Sequence, residues 1–321
     1  MEEAIQKFAK QFTFEPEIVN AESLKLARKF LVCGLGGSHL AVGLLKMREP
    51  SMDIFIHRDY GLPGLLDADL KERFCIASSY SGNTEETLDF AEKAFEKGLQ
   101  IAVIATGGKL IDFAKKHELP YIVIPSTGIQ PRMALGYALK SLVKLMGREA
   151  LNDELTSLSR ILKPESLRKS GEELALSFEG KVPVIYTSNS NKEIAYNWKI
   201  KFNETGKIPA FFNVFPELNH NEMTGFDVIP STKELSSKFH FFFIEDASDH
   251  PNILKRMKIC RELFEKRGLP VTMMVLAGSA TFEKVFNSLT LADWTAYYTA
   301  LHYGAEPEQV PMVEEFKKMM R

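Results

Sequence analysis

Cysteine is scarce: three in 321 residues, Cys33, Cys75 and Cys260, far apart and each inside an apolar or helical stretch. That excludes a disulfide-built scaffold and a cysteine metal site, and predicts three reduced core thiols. The seven histidines show no His-x-x-x-His or Cys-His spacing, so no metal site and no cofactor is expected. No apolar run approaches the roughly 20 residues that span a bilayer. The start, Met1-Glu2-Glu3-Ala4, is acidic and has no signal-peptide pattern. A cytoplasmic protein without a membrane partner is the expectation. An excess of one charge is missing too: formal net charge is −2 with both signs interspersed, which argues against nucleic acid as a partner. Low-complexity segments and short-period repeats are absent, which excludes a solenoid.

What is present is the composition of a folded protein, 45% hydrophobic and 26% charged, in a chain long enough for two domains. Short apolar or β-branched runs at 30–33, 53–57, 74–77, 101–104 and 121–124 alternate with helical periodicity. This is a βαβ series, and Ile101-Ala102-Val103-Ile104 is continuous rather than alternating, as in a strand buried on both faces. The theme repeats at 184–186, 241–244 and 271–276, with a helix at 252–267. Between Gly147 and Lys181 the sequence turns charged and helical, placing the domain boundary there. The reading is two doubly wound parallel-sheet α/β domains, α-β-α sandwiches at 1–150 and 151–321, similar enough to suggest a duplication.

Two loops stand out. After the first strand comes Gly34-Leu35-Gly36-Gly37-Ser38, then a helical run: a glycine-rich turn feeding a helix N-terminus, where free N–H groups favour an anion. The same turn also suits plain strand–helix packing, or a dinucleotide fold with Asp59 as the ribose acid, though the third glycine of that fingerprint is replaced by His39. After the third strand comes Ser79-Tyr80-Ser81-Gly82-Asn83-Thr84, opening a helix at 85–97 in which Asn83 and Glu86 have the spacing of a cap. Capping uses one or two such residues. Four around a glycine predict a phosphate site built from hydroxyls and backbone amides.

Ser79-Tyr80-Ser81-Gly82-Asn83-Thr84-Glu85-Glu86-Thr87 resembles the phosphosugar loop of the bifunctional phosphoglucose/phosphomannose isomerases, a group within the sugar-isomerase domain superfamily. Gly36-Gly37-Ser38, Asp59-Tyr60-Gly61-Leu62-Pro63 and Gln130-Pro131-Arg132 resemble further motifs of that family, in order. So do Asn203-Glu204 and Glu217-Leu218-Asn219-His220-Asn221-Glu222, and more loosely 293–307. The resemblance implies two sugar-isomerase domains paired as a homodimer that isomerises a hexose 6-phosphate. Gly37, Ser38, Ser79, Ser81 and Thr84 would hold its phosphate.

The resemblance also makes Glu204 the proton-transferring base. Periodicity alone reads Glu204 as solvated, because it points away from the stripe Ile194, Trp198 and Phe202 and meets the unfavourable end of the helix dipole. His220, whose ordinary pKa of about 6.5 suits proton transfer, takes the position of the ring-opening histidine, supplied across the dimer, with Glu217 and Glu222 as orienting candidates. Arg132, just after Pro131, would stabilise the enediolate. In the last helix Thr295 or Thr299 would be the hydroxyl that meets the sugar. No lysine or arginine lies between Lys284 and Lys317, so His302 is its one basic candidate. The rival is a sugar-phosphate sensor using the loops without chemistry. A nicotinamide oxidoreductase rests on Gly34, Gly36 and Asp59 alone.

Overall fold

The computed structural model describes residues 1–25 and 27–320. The chain forms two compact units, one of Lys7–Leu162 and one running from Lys163 and joined by Met1–Gln6.

The first unit holds a five-stranded parallel sheet: β1 (Lys29–Cys33), β2 (Asp53–His57), β3 (Arg73–Ser78), β4 (Ile101–Ala105) and β5 (Tyr121–Val123), in the order β2-β1-β3-β4-β5. β3 and β4 are buried along their whole length, which is why they read as unbroken apolar runs. Helix Glu85–Glu96 turns Thr87, Phe90, Ala91 and Ala94 inward, one stripe at helical spacing. Phe90 joins Leu31, Cys75, Ile101 and Val103 in the core, where each large apolar side chain contributes about 1.5–3 kcal/mol. All three cysteines are free and buried, and burial raises each thiol to about 12.

This unit ends at Leu162 rather than at 150. Helix Glu149–Ile161 belongs to it because Leu151, Leu155 and Leu158 form a buried stripe, packed against the turn Phe8–Thr13 with its buried Phe8 and Phe12. Met1–Gln6, expected in the first domain, packs with the second unit: the N-terminal ammonium meets Glu308 at 2.9 Å, and Glu2 takes bonds from Tyr297 at 3.1 Å and Arg168 at 2.8 Å.

The second unit repeats the topology with four parallel strands, β6 (Val182–Ser188), β7 (Phe211–Phe215), β8 (Phe239–Glu245) and β9 (Val271–Val275), ordered β7-β6-β8-β9. Tyr186, Phe241, Phe243 and Phe264 fill one side of it. The long helix Thr281–His302 packs on Arg168–Ser177 at Gly171, where a Cβ would lie 2.4 Å from the Cβ of Trp294, so only glycine permits that approach. No helix among the described residues is long and apolar enough to cross a membrane.

Candidate active site

In the first sheet the chain leaves β1 to one side for β2, then returns on the other side for β3. Sheets of this kind hold ligands beyond the carboxyl ends of the strands where the order reverses. Both loops singled out in the sequence lie at that reversal: 34–36 follows β1 and enters helix Gly37–Arg48, and 79–84 follows β3 and enters Glu85–Glu96. They touch. Ser38 Oγ accepts the Tyr80 N–H at 2.9 Å, and a Cβ on Gly34 would sit 2.9 Å from the Ser78 carbonyl oxygen. A third segment meets them, because a Cβ on Gly37 would fall 2.5 Å from the backbone of Pro131. The turn Pro131–Met133 thereby seats Arg132, 2% exposed, against the start of the first loop's helix.

Within the second loop the hydroxyls are fixed. Ser79 Oγ and Thr84 Oγ1 are 2.7 Å apart, and Ser79 Oγ also accepts the Gly82 N–H at 3.1 Å. Ser81 Oγ accepts the Asn83 N–H at 3.2 Å. Asn83 is not the helix cap that its spacing predicts. Gly82, at φ +68°, turns it toward the next loop, where its Oδ1 accepts the Lys109 N–H at 3.1 Å. Thr84 stands at the capping position instead, and its hydroxyl goes to Ser79. The first-turn amides of Glu85–Glu96 thus keep their donor capacity and the positive dipole end for an anion. Ser38 and Ser79 are buried, Gly37 and Thr84 half-buried, and Ser81 is exposed at the rim.

The sequence reading missed a third glycine loop, Thr106-Gly107-Gly108, after β4. A Cβ on Gly82 would lie 1.8 Å from the Gly107 carbonyl oxygen, so the two loops interlock. The double glycine before a helix was the available signal. His39 is a second omission. It is buried, accepts from Arg58 at 3.4 Å through Nε2, and is held at about 4 by desolvation and then by the Arg58 charge. Asp59 accepts the N–H of Tyr60 at 2.8 Å in its own exposed turn, which removes one support of the dinucleotide reading; His39 in place of the third glycine removes another.

In the second unit Glu204 ends helix Lys192–Glu204, which buries Ile194, Trp198 and Phe202 as the stripe predicts. Glu204 is half-buried, and Lys207, at φ +59°, folds back so that its ammonium donates to the Glu204 carbonyl at 2.5 Å, offsetting the negative helix end. One turn earlier, Lys201 and Asp293 form a buried ion pair at 2.5 Å. His220 is exposed on the one-turn helix Leu218–Asn221. Glu217 accepts from Asn221 at 2.7 Å, while Glu222 accepts from the Tyr186 hydroxyl and the Asn213 amide.

Thr295 does not stand as a sugar contact. It is fully buried and its hydroxyl donates to the Leu291 carbonyl at 2.8 Å; Thr299 repeats the pattern toward Thr295, also at 2.8 Å. In a helix interior a threonine hydroxyl finds the carbonyl four residues back, which a linear reading does not register. His302 is exposed near the end of that helix.

The reversal point of the second sheet, beyond β6 and β8, has the same topology and different chemistry. Its loops bring Asp246 and Asp249. Asp246 Oδ1 accepts from Ser248 N–H at 2.9 Å and from Lys284 at 2.7 Å, and Asp249 lies 3.4 Å from the Asn191 amide. The helix that follows is capped by His250, whose Nδ1 accepts the Asn252 N–H at 3.1 Å. Carboxylates at the loops and a capped helix start suit no phosphate. Among the described residues no three His, Cys, Asp or Glu side chains are grouped to hold a metal ion.

Residues 168–320 match the family model for the bacterial phospho-glucose isomerase C-terminal SIS (sugar-isomerase) domain. Over 323 aligned residues the chain is 34% identical to the bifunctional phosphoglucose/phosphomannose isomerase of Aquifex aeolicus (strain VF5), with 99% of this chain and 97% of the relative covered. The chain belongs to the bifunctional phosphoglucose/phosphomannose isomerase family. The member from Caldicellulosiruptor bescii is 35% identical over 91% of this chain and 89% of its own length. The fold extends beyond the family: the C-terminal domain of glucosamine-fructose-6-phosphate aminotransferase from Francisella tularensis superposes with a TM-score of 0.70 at 13% identity, covering 96% of each chain. Family membership spans both units, and with it the loops of the first and the Glu204 and His220 segments of the second.

Proposed function

We propose that the protein interconverts fructose 6-phosphate with glucose 6-phosphate and mannose 6-phosphate by proton transfer through an enediolate, without a metal or cofactor. What supports this reading is the meeting of the glycine and hydroxyl loops at the reversal of the first sheet. There Gly37, Ser38, Ser79, Ser81 and Thr84 offer hydroxyls and amides to the sugar phosphate, with Arg132 seated beside them. His220 protonates the ring oxygen as the anomeric hydroxyl gives its proton to water, giving the open chain. Glu204 then takes the proton from C2 of the aldose and returns it to C1, the hydroxyl proton passes from O2 to O1, and Arg132 stabilises the negative oxygen between the two steps. The enediolate is planar at C2, so both aldose epimers pass through it. His302 is the one basic candidate of the last helix for a sugar contact.

His220 is exposed on its own chain, and the edge strand β7 nearby in sequence shows Phe211 and Phe212 at 56% and 36% exposure. We read the protein as a homodimer in which His220 serves the partner's site. Three free, buried thiols suit the reducing cytoplasm.

The test incubates chelator-treated protein with fructose 6-phosphate and quantifies both aldose phosphates, for wild type and Glu204→Gln. Formation of both, reduced about 10²–10⁴-fold by the substitution, is the expected result for loss of a general base. Phosphosugar binding with neither product would overturn the isomerase and leave a sugar-phosphate sensor.

A further inference from the structure

His220 sits on a helix of one turn, too short to hold itself in water. Its orientation must come from what ties that turn down. Leu218 is fully buried beneath it, and the Asn219 carbonyl oxygen of the side chain accepts from Arg256 at 3.3 Å. The strongest tie is Glu222, which follows the turn. One of its carboxylate oxygens accepts from the Tyr186 hydroxyl and the other from the Asn213 amide. Tyr186 on β6 and Asn213 on β7 are directly paired across the two strands, so both donors stand side by side on one face of the sheet. The carboxylate therefore bridges two adjacent strands at one level and anchors the end of the histidine turn to both. Tyr186 is fully buried, and its phenol is pushed well above the ordinary range by burial and by Glu222, so it remains a donor. Glu217 has no such reach, because its partner Asn221 lies in the same turn.

We infer that Glu222 is a positioning residue for ring opening: locked to Tyr186 and Asn213, it fixes the turn that aims His220 at the sugar ring. This rests on the reading of His220 as the ring-opening acid. A half-buried carboxylate with both oxygens engaged is a stiff support, whereas a shortened side chain leaves the buried Tyr186 hydroxyl without its acceptor and a neutral amide can accept from only one of the two donors.

Ring opening is measured apart from isomerisation as catalysed exchange between the α and β anomers of fructose 6-phosphate, by NMR exchange spectroscopy. Glu204→Gln should abolish isomerisation and retain anomer exchange, and His220→Ala should abolish exchange. Glu222→Ala should lower exchange and kcat about 10–100-fold with KM changed less than about threefold, the effect of misplacing a catalytic group by an ångström. Tyr186→Phe, which keeps the buried ring and removes one donor, should give a smaller loss in the same two quantities. Glu222→Gln, which keeps one acceptor, should recover part of the activity. Wild-type exchange in soluble, folded Glu222→Ala or Tyr186→Phe, with exchange lost in His220→Ala, would overturn the inference alone. Undiminished exchange in His220→Ala would remove the ring-opening role beneath it and the inference with it.

Discussion

Replacing Lys201 by methionine should destabilise the second unit severely, and replacing Asp293 with leucine at the same time should restore most of the loss. The two charges lie 2.5 Å apart with 3% and 4% of their side chains exposed. At an effective dielectric near 20 the attraction at that distance is roughly 6–7 kcal/mol. Moving two ions out of water costs several kcal/mol each, so the pair nets close to zero against an apolar replacement. Removing only the lysine forfeits the attraction and leaves the Asp293 carboxylate desolvated, a loss of about 3–5 kcal/mol. For a unit of this size that lowers the unfolding temperature by about 6–20 °C, read by calorimetry on Lys201→Met. Lys201→Met/Asp293→Leu should lie within about 1.5 kcal/mol of wild type. Because Lys201 is one turn from Glu204, the base in the proposed function, kcat measured well below the transition should fall in the single variant. A single variant that loses under about 1 kcal/mol would show the pair behaving as a solvated surface contact and refute the argument. So would a double variant as damaged as the single.

Ser79→Ala removes the hydroxyl shared by Thr84 and the Gly82 amide and, on the proposed function, a donor to the phosphate; KM for fructose 6-phosphate should rise about 10–100-fold in steady-state assays. An unchanged KM would move the phosphate elsewhere. Gly82→Ala places a Cβ 1.8 Å from the Gly107 carbonyl at φ +68°, so the interlocked loops must shift; phosphosugar affinity by calorimetry should drop at least as far as in Ser79→Ala while far-ultraviolet dichroism keeps the fold. His39, held at about 4 by burial and then by Arg58, is lower than in the unfolded chain. Unfolded protein therefore binds that proton first. Stability is full above pH ~6.5 and falls as pH drops toward 4, by at most ~3 kcal/mol, a slope that urea melts should show in wild type and find flattened in His39→Gln. Equal slopes would place the acid sensitivity elsewhere.

Strands buried on both faces read as unbroken apolar runs, and the edge strands β2 and β5 read from their short apolar and β-branched segments. β3 and β4 need unbroken apolar runs, and no other element of that length does. β7 shows in the sequence only as the apolar run 211–215, interrupted by Asn213; in the fold Phe211 and Phe212 are exposed and Asn213 turns toward Glu222. Helix Glu149–Ile161 misled the domain boundary for a related reason. Its solvent face carries the charges, and these mask the stripe of Leu151, Leu155 and Leu158. The docking of Met1–Gln6 on the second unit was not legible at all, since its partners Arg168, Tyr297 and Glu308 lie far along the chain.

For the candidate site, the loops were legible as loops, and their assembly was not. Glycine and hydroxyl residues before a helix announce an anion site locally, but what brings 34–38, 79–84, 106–108 and Pro131–Met133 together is strand order. The two sheets make the point. Both reverse direction between a first and a third strand, and both present a loop there that opens a helix. In the first the loop residues are Ser79, Ser81 and Thr84, and the helix amides remain available. In the second they are Asp246 and Asp249, one paired with Lys284, and His250 closes the helix start. A repeated topology thus supplies two crevices, and side-chain charge makes the first the better fit for phosphate.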